Sequence, residues 1–224
     1  MKTVKNGHKR HIRLDAILLI IGVVCLSIFA GISYYNAMEE KRSRETVQQL
    51  RSMRDVGIAP RVDSSQTDTE KQDAITTSYE RLFEANADMI GWLNIPGTQI
   101  DYPVMQTVNN EYYLNHNFNQ EEDKNGCIFM DYQCDAVNGC DNIILYGHHM
   151  QSGKMFGTLN KYSNESYYEA HPRIKFDTIY NKGEYEVMYV FRSKVYSEED
   201  VTFKYYQFIN AGSAKEFDSY MNEM

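Results

Sequence analysis

Hydrophobic and polar positions divide this chain into three unlike stretches. The first is an apolar run, Ala16-Ile-Leu-Leu-Ile-Ile-Gly-Val-Val-Cys-Leu-Ser-Ile-Phe-Ala-Gly-Ile32, which carries no charge and is long enough to span a bilayer as a helix. Lys2, Lys5, Lys9, Arg10 and Arg13 precede it, opposed locally by Asp15. The positive-inside rule then keeps the N-terminus in the cytoplasm and puts everything after Tyr34 outside. A cleaved signal peptide is the competing reading, but the core is long for one and the small-x-small pattern near Ala30 is poor. The second stretch is polar. Glu39 to about Leu50 predicts a helix continuing out of the membrane, and Arg51 to Gln72, rich in Ser, Thr, Asp and Gln, reads as a solvated stalk.

The third stretch alternates in ways that predict a β-rich domain. It opens with an amphipathic helix over Ala74 to Asn86, where Ile75, Tyr79, Leu82 and Phe83 fall at helical spacing and Asn86-Ala-Asp88 ends it. Strands are predicted at Ile90 to Ile95 and Gln99 to Met105, joined by a Pro96-Gly97-Thr98 turn. Further strands follow at Gly126 to Tyr132 and Asn142 to Tyr146. Asn110 to Phe118 is ambiguous between a short helix and an irregular loop. Lys154 to Tyr162 and Glu165 to Ala170 read as short helices or turns. Arg173 to Thr178 and Tyr185 to Phe191 form a hairpin through Asn181-Lys-Gly183, and the second of these alternates most clearly. A last helix begins at a Ser213 cap with Glu216 three residues on, and Phe217, Tyr220, Met221 and Met224 mark its apolar face.

Composition narrows the partners. The 224 residues carry a net charge of -8, which disfavours nucleic acid and tolerates cationic partners. Cys25 lies in the anchor as an apolar filler. Cys127, Cys134 and Cys140 are external and odd in number. Cys134 and Cys140 either close a short disulfide loop or stay as free thiols, and their spacing fits no standard zinc pattern.

The chemistry concentrates where a β-prone run meets Gly147-His148-His149. A glycine frees the backbone there, and histidine is the side chain best suited to moving protons near neutral pH. His148 is the candidate catalytic residue; as a plain structural residue it would cap the strand by bonding a carbonyl. His149 should point elsewhere, because successive residues near a strand end face opposite ways.

Five segments in order resemble the sortases, membrane-anchored cysteine transpeptidases of Gram-positive cell surfaces. They are Gly91-Trp-Leu-Asn-Ile-Pro-Gly-Thr-Gln-Ile-Asp-Tyr-Pro-Val104, Tyr112-Tyr-Leu-Asn-His-Asn-Phe118, Gly126-Cys-Ile-Phe-Met-Asp-Tyr132, Leu145-Tyr-Gly-His-His-Met150 and Met155-Phe-Gly-Thr-Leu159. With the helix ahead of the first strand and the anchor, they look like class B, over roughly Ser78 to Met224. The resemblance implies a mainly β fold, a closed and mostly antiparallel barrel here lacking its last strands, with N-terminal and peripheral helices behind one transmembrane helix. The implied divisions are a basic cytoplasmic segment (1–15), the anchor (16–33), an extracellular stalk (34–73) and the domain (74–224).

It also implies a reaction. A cysteine attacks a sorting signal after Thr, and an amine of a cell-wall precursor resolves the thioacyl enzyme. A histidine, by the motif His148, moves the protons, while an arginine steadies the oxyanion. Asn110 and Leu114 would contact the sorting peptide; otherwise Asn110 caps a turn and Leu114 is core. No cofactor or metal is implied. In the family the cysteine ends a Thr-Leu-x-Thr-Cys strand after the helix that begins near Ser213, and the arginine lies on the strand after that. Neither is found before Met224, so the chain alone is expected to be inactive and poorly stable. Cys127, Arg173 and Arg192 are not expected to substitute. Two other readings remain: a non-catalytic peptide-binding surface protein, and a metal hydrolase using His148, His149 and Asp131.

Overall fold

Residues 7–56, 79–194 and 204–223 are described in the computed structural model of the chain. Helix α1 (Gly7–Val56) runs unbroken through the apolar stretch and well past it. The chain divides into two compact units, the first ending at Gln49 and the second starting at Leu50. Within the first, Leu19, Leu26 and Phe29 are each about 70% exposed, and α1 is long and apolar enough to cross a membrane. Beyond the apolar part, Lys41–Glu45 and Arg44–Glu40 pairs at i,i+4 support the helix on its solvated face.

The second unit is built on one six-stranded mixed sheet, ordered β4-β3-β2-β1-β5-β6. Strands β1 (Met89–Asn94) and β2 (Asp101–Met105) form an antiparallel pair. The predicted Pro96-Gly97 turn joins them, closed by Thr98 N–H donating to the Ile95 carbonyl at 3.1 Å. Both strands are buried on both faces, as central strands are. On one side β1 pairs antiparallel with β5 (Arg173–Thr178), which pairs in turn with β6 (Glu184–Glu186). On the other, β2 pairs parallel with β3 (Ile128–Met130), and β3 pairs antiparallel with β4 (Leu145–Tyr146). A parallel neighbour cannot be reached by a hairpin. Residues 106–127 therefore make a long crossover, with a 3-10 turn at Tyr112–Leu114.

Tyr79 and Leu82 of helix α2 (79–85) join Leu50 of α1 and Met89, Trp92, Met105, Tyr113 and Phe129 in the main core cluster. Phe83, expected on the buried face, is 41% exposed. Residues 74–78 of the expected helix lie outside the described residues. Asn86 fixes the end of α2 to the crossover: its Nδ2 donates to the Phe118 carbonyl at 2.7 Å and to the Tyr113 hydroxyl at 3.0 Å.

Two expectations need correction. Residues 51–56, read as the start of a stalk, are helical, because Arg51 and Arg54 are held by the sheet. The rest of the expected stalk, 57–73, lies outside the described residues. The strand read as clearest, Tyr185 to Phe191, pairs only through Glu186, and Val187 N–H then donates to the Pro172 carbonyl at 2.9 Å. Register explains this. Arg173 faces Glu186 at the start of β5, and Pro172, without an N–H, begins the turn toward α3 (Glu165–Ala170), so later residues have no β5 backbone opposite. Met188 and Tyr189 are consequently 70% and 60% exposed. The final helix forms as expected, α4 (Ala214–Glu223), with the Ser213 hydroxyl accepting from Glu216 N–H at 3.3 Å and Tyr220 stacked on Phe208 at 4.0 Å.

Asp101 gathers the end of α1 onto the sheet. Its carboxylate accepts from Trp92 Nε1 at 2.7 Å and Arg54 Nη1 at 2.8 Å, and Arg51 Nε lies 3.0 Å away. The Arg54 guanidinium also covers the Trp92 ring at 4.6 Å. Burial would raise the Asp101 carboxyl; the Trp92 and Arg54 hydrogen bonds and the two guanidinium charges outweigh it and hold it below its ordinary value. Asp101→Ala is expected to cost about 2–3 kcal/mol, since it strands two partly buried guanidinium groups. A folded-state carboxyl held low stabilises fully above roughly pH 4, and this is lost as pH falls through the depressed value. Trp92 is the one tryptophan in the sequence. Its fluorescence during acid and denaturant titration should therefore report both effects, and identical acid limbs for wild type and variant would refute the assignment.

Candidate active site

The site is assembled where the crossover returns to β3 and meets the end of β4. Asn109 starts the 3-10 turn by accepting from the N–H groups of Glu111 and Tyr112 at 2.9 and 3.0 Å. Asn109 thus holds the entry to this turn. Buried Tyr113 anchors it, donating its hydroxyl to Asp88 at 2.9 Å. Burial first, and Asp88 after it, push that phenol well above its usual range. Gly126 then lets β3 come close. It has φ 58°, and a Cβ there would strike the carbonyls of Tyr113 and Leu114.

Gly147 answers to a different constraint. It is absent from the positive-φ positions, so backbone freedom is not its reason. A Cβ would collide with the side chains of Ile128, which is fully buried, and Phe156. Closeness to β3, rather than a special turn, selects glycine.

His148 is half-buried and His149 exposed. His148 Nε2 lies 2.7 Å from the Leu114 carbonyl oxygen. A carbonyl can only accept, so Nε2 carries the proton, and in the neutral ring Nδ1 keeps its lone pair. The backbone is held as well, the His148 carbonyl accepting from Phe156 N–H at 3.0 Å. His148 and the Leu114 backbone are thus brought together, although the strand-capping geometry expected of a merely structural histidine is met by the same bond. The Leu114 side chain packs against the edge of the core cluster.

Asn110 is brought to Asp131. Its Nδ2 donates to Asp131 Oδ2 at 2.8 Å, and its Oδ1 accepts from Tyr132 N–H at 3.0 Å. These bonds use one amide N–H and one oxygen lone pair, leaving one of each. Asp131 is buried and also accepts from the Tyr146 hydroxyl at 2.8 Å and from Gln133 N–H at 2.9 Å. One carboxylate therefore ties Asn110, on the crossover, to Tyr146, two residues before His148. Sequence reasoning considered Asp131 only as a metal ligand. Among the described residues no cluster of three or more His, Cys, Asp or Glu is arranged to hold a metal.

Three of the four cysteines belong to the second unit. Cys25 lies on α1. Cys127 is buried, its thiol pushed far up by burial and then by Asp123. Cys134 and Cys140 share the Asn142 carbonyl as acceptor. Arg173 pairs with Glu184 at 2.9 Å on the surface.

Comparison with known proteins agrees with this architecture. The sortase domain family matches residues 93–216. Sortase B of Staphylococcus aureus is 31% identical over 185 residues, covering 83% of this chain and 70% of that protein. Sortase B of Listeria monocytogenes is 29% identical over 207 residues, covering 92% and 77%. The structure of the S. aureus sortase B–substrate complex superposes with a TM-score of 0.70 at 29% identity, covering 83% of this chain and 78% of that one. The chain belongs to the sortase family of cysteine transpeptidases, and within it to class B.

Gly126→Ala tests how the site is assembled. A left-handed φ and two blocked carbonyls should cost more than about 2 kcal/mol and withdraw Leu114 from His148. Denaturant melts and the His148 ring shifts check this; a variant with unchanged stability and unchanged shifts would contradict it.

Proposed function

We propose that this domain supplies the acid–base and peptide-holding parts of a class B sortase site. Its reaction would cleave a sorting signal after Thr and join the Thr carbonyl to an amine of a cell-wall precursor. The observation that carries the reading is His148, pinned through Nε2 at the Leu114 carbonyl, with Nδ1 left to move a proton. In the first half-reaction a thiolate attacks the Thr carbonyl carbon. The scissile C–N bond breaks as His148, protonated on Nδ1, gives its proton to the departing amine, leaving a thioester. In the second, the incoming amine attacks the thioester, returns its proton to Nδ1 and releases the thiolate. The remaining Asn110 donor and acceptor suit the backbone of an extended peptide, and Leu114 offers it an apolar contact.

The proposed topology is a single-pass anchor over 16–33, a stalk over 34–73 whose helical residues 51–56 pack on the domain, and an extracellular domain over 74–224, supported by the apolar helix and the basic residues before it. We place the nucleophile at none of the four cysteines and the oxyanion ligand at neither Arg173 nor Arg192. The second reading is a sortase-like protein that binds sorting peptides without turning them over.

Two measurements separate them. Asn110→Ala should weaken binding of a sorting peptide to the chain by about 10-fold, roughly one lost hydrogen bond to a buried partner; unchanged affinity would remove Asn110 from the groove. In a form that carries the family's catalytic cysteine and turns over the peptide, His148→Ala should lower kcat by at least about 10² with little change in affinity. Near-normal turnover would leave only the binding role, and cleavage by the present chain would overturn the assignment of its cysteines.

A further inference from the structure

The loop Cys134-Asp-Ala-Val-Asn-Gly-Cys140 is built to bring its ends together. Asp135 organises it: its Oδ1 accepts from Val137 and Asn138 N–H at 2.8 and 2.9 Å, and its Oδ2 from Asn138 Nδ2 at 2.8 Å. Gly139 N–H donates back to the Asp135 carbonyl at 3.0 Å. Both thiols consequently fall on one acceptor. Cys134 Sγ lies 3.5 Å and Cys140 Sγ 3.4 Å from the Asn142 carbonyl oxygen, and the two thiols are within hydrogen-bonding reach of each other. The sequence left their pairing open; the geometry favours one answer. We propose that Cys134 and Cys140 form a reversible disulfide site whose oxidant is a small-molecule disulfide.

The order of events follows from exposure. Cys140 is half-buried and Cys134 only 4% exposed. Burial, with the Cys140 thiol beside it, raises the Cys134 thiol to about 12, so it is a poor first nucleophile. The Cys140 thiolate attacks one sulfur of the oxidant, forming a mixed disulfide and expelling one thiolate. Cys134 then gives up its proton and attacks the Cys140 sulfur, expelling the second. In sum two protein thiols lose two electrons and two protons, and one external disulfide becomes two thiols.

The bond would act on more than the loop. Cys134 follows Asp131 at the exit of β3, and Cys140 precedes β4, which ends two residues before His148. Between them and β4, Asn142 N–H donates to the Ile209 carbonyl at 3.0 Å, Asn142 Nδ2 to the Phe208 carbonyl at 2.6 Å, and Ala211 N–H to Asp141 Oδ2 at 2.9 Å. A disulfide would staple the β3–β4 connection where segment 208–211 docks.

The test uses the full-length chain, reduced, freed of reductant and incubated with oxidised glutathione. Two of its four thiols should be lost, peptide mapping should find Cys134 bonded to Cys140, and dithiothreitol should restore both thiols. In Cys140→Ser, a conservative change at a half-exposed position, Cys134 should remain a free thiol. Stable glutathione on Cys140 with Cys134 free would overturn the proposal. So would two free thiols after a treatment that oxidises a control dithiol peptide.

Discussion

The parallel pairing of β2 with β3 is the constraint from which the site follows. Val104 faces Ile128 and Met105 faces Phe129 in that ladder, and the chain must leave the sheet between them. The returning segment cannot be arbitrary. It is tethered at the end of α2 through Asn86, anchored by Tyr113, and admitted to β3 by a glycine that lets carbonyls come where a Cβ would stand. Those carbonyls include the one that orients His148. A requirement of sheet topology thus becomes a requirement on which histidine nitrogen carries a proton.

Two buried or half-buried carboxylates hold the arrangement, by different means. Asp101 is satisfied by charge, from Arg51 and Arg54, and joins the end of α1 to β2. Asp131 is satisfied by neutral donors, Asn110, Tyr146 and a backbone N–H, and joins the crossover to β4. In the first, the guanidinium groups stay ionised at any working pH. The second fixes direction: with one N–H and one oxygen lone pair committed, the Asn110 amide is held in a single orientation.

Local pattern revealed most of the fold, and failed where a distant partner decides. The Glu165 helix and the Arg173 strand are found at the residues expected, since turn chemistry bounds both. The strand after Glu186 was overextended because alternation describes faces, while a strand exists only where another backbone runs opposite. The crossover between parallel strands was unreadable, as was Asp131 as a brace, for both are set by residues about twenty positions away. Gly147 was noticed for a conformational freedom it does not use; its real reason, the Ile128 side chain, belongs to another strand. His148 was legible only because its neighbours resemble a family. Nothing local distinguishes a histidine that caps a strand from one that moves protons, and the structure shows one bond serving either purpose.

That ambiguity makes the ring itself the place to look. Nitrogen-15 spectroscopy of the assigned His148 ring, at a pH where it is neutral, reports which nitrogen is protonated. The Nε2–H form is expected, with Nδ1 bare and able to take up a proton. A ring protonated on Nδ1 would mean that the Leu114 carbonyl does not hold Nε2, and would contradict the placement of His148 as the proton carrier.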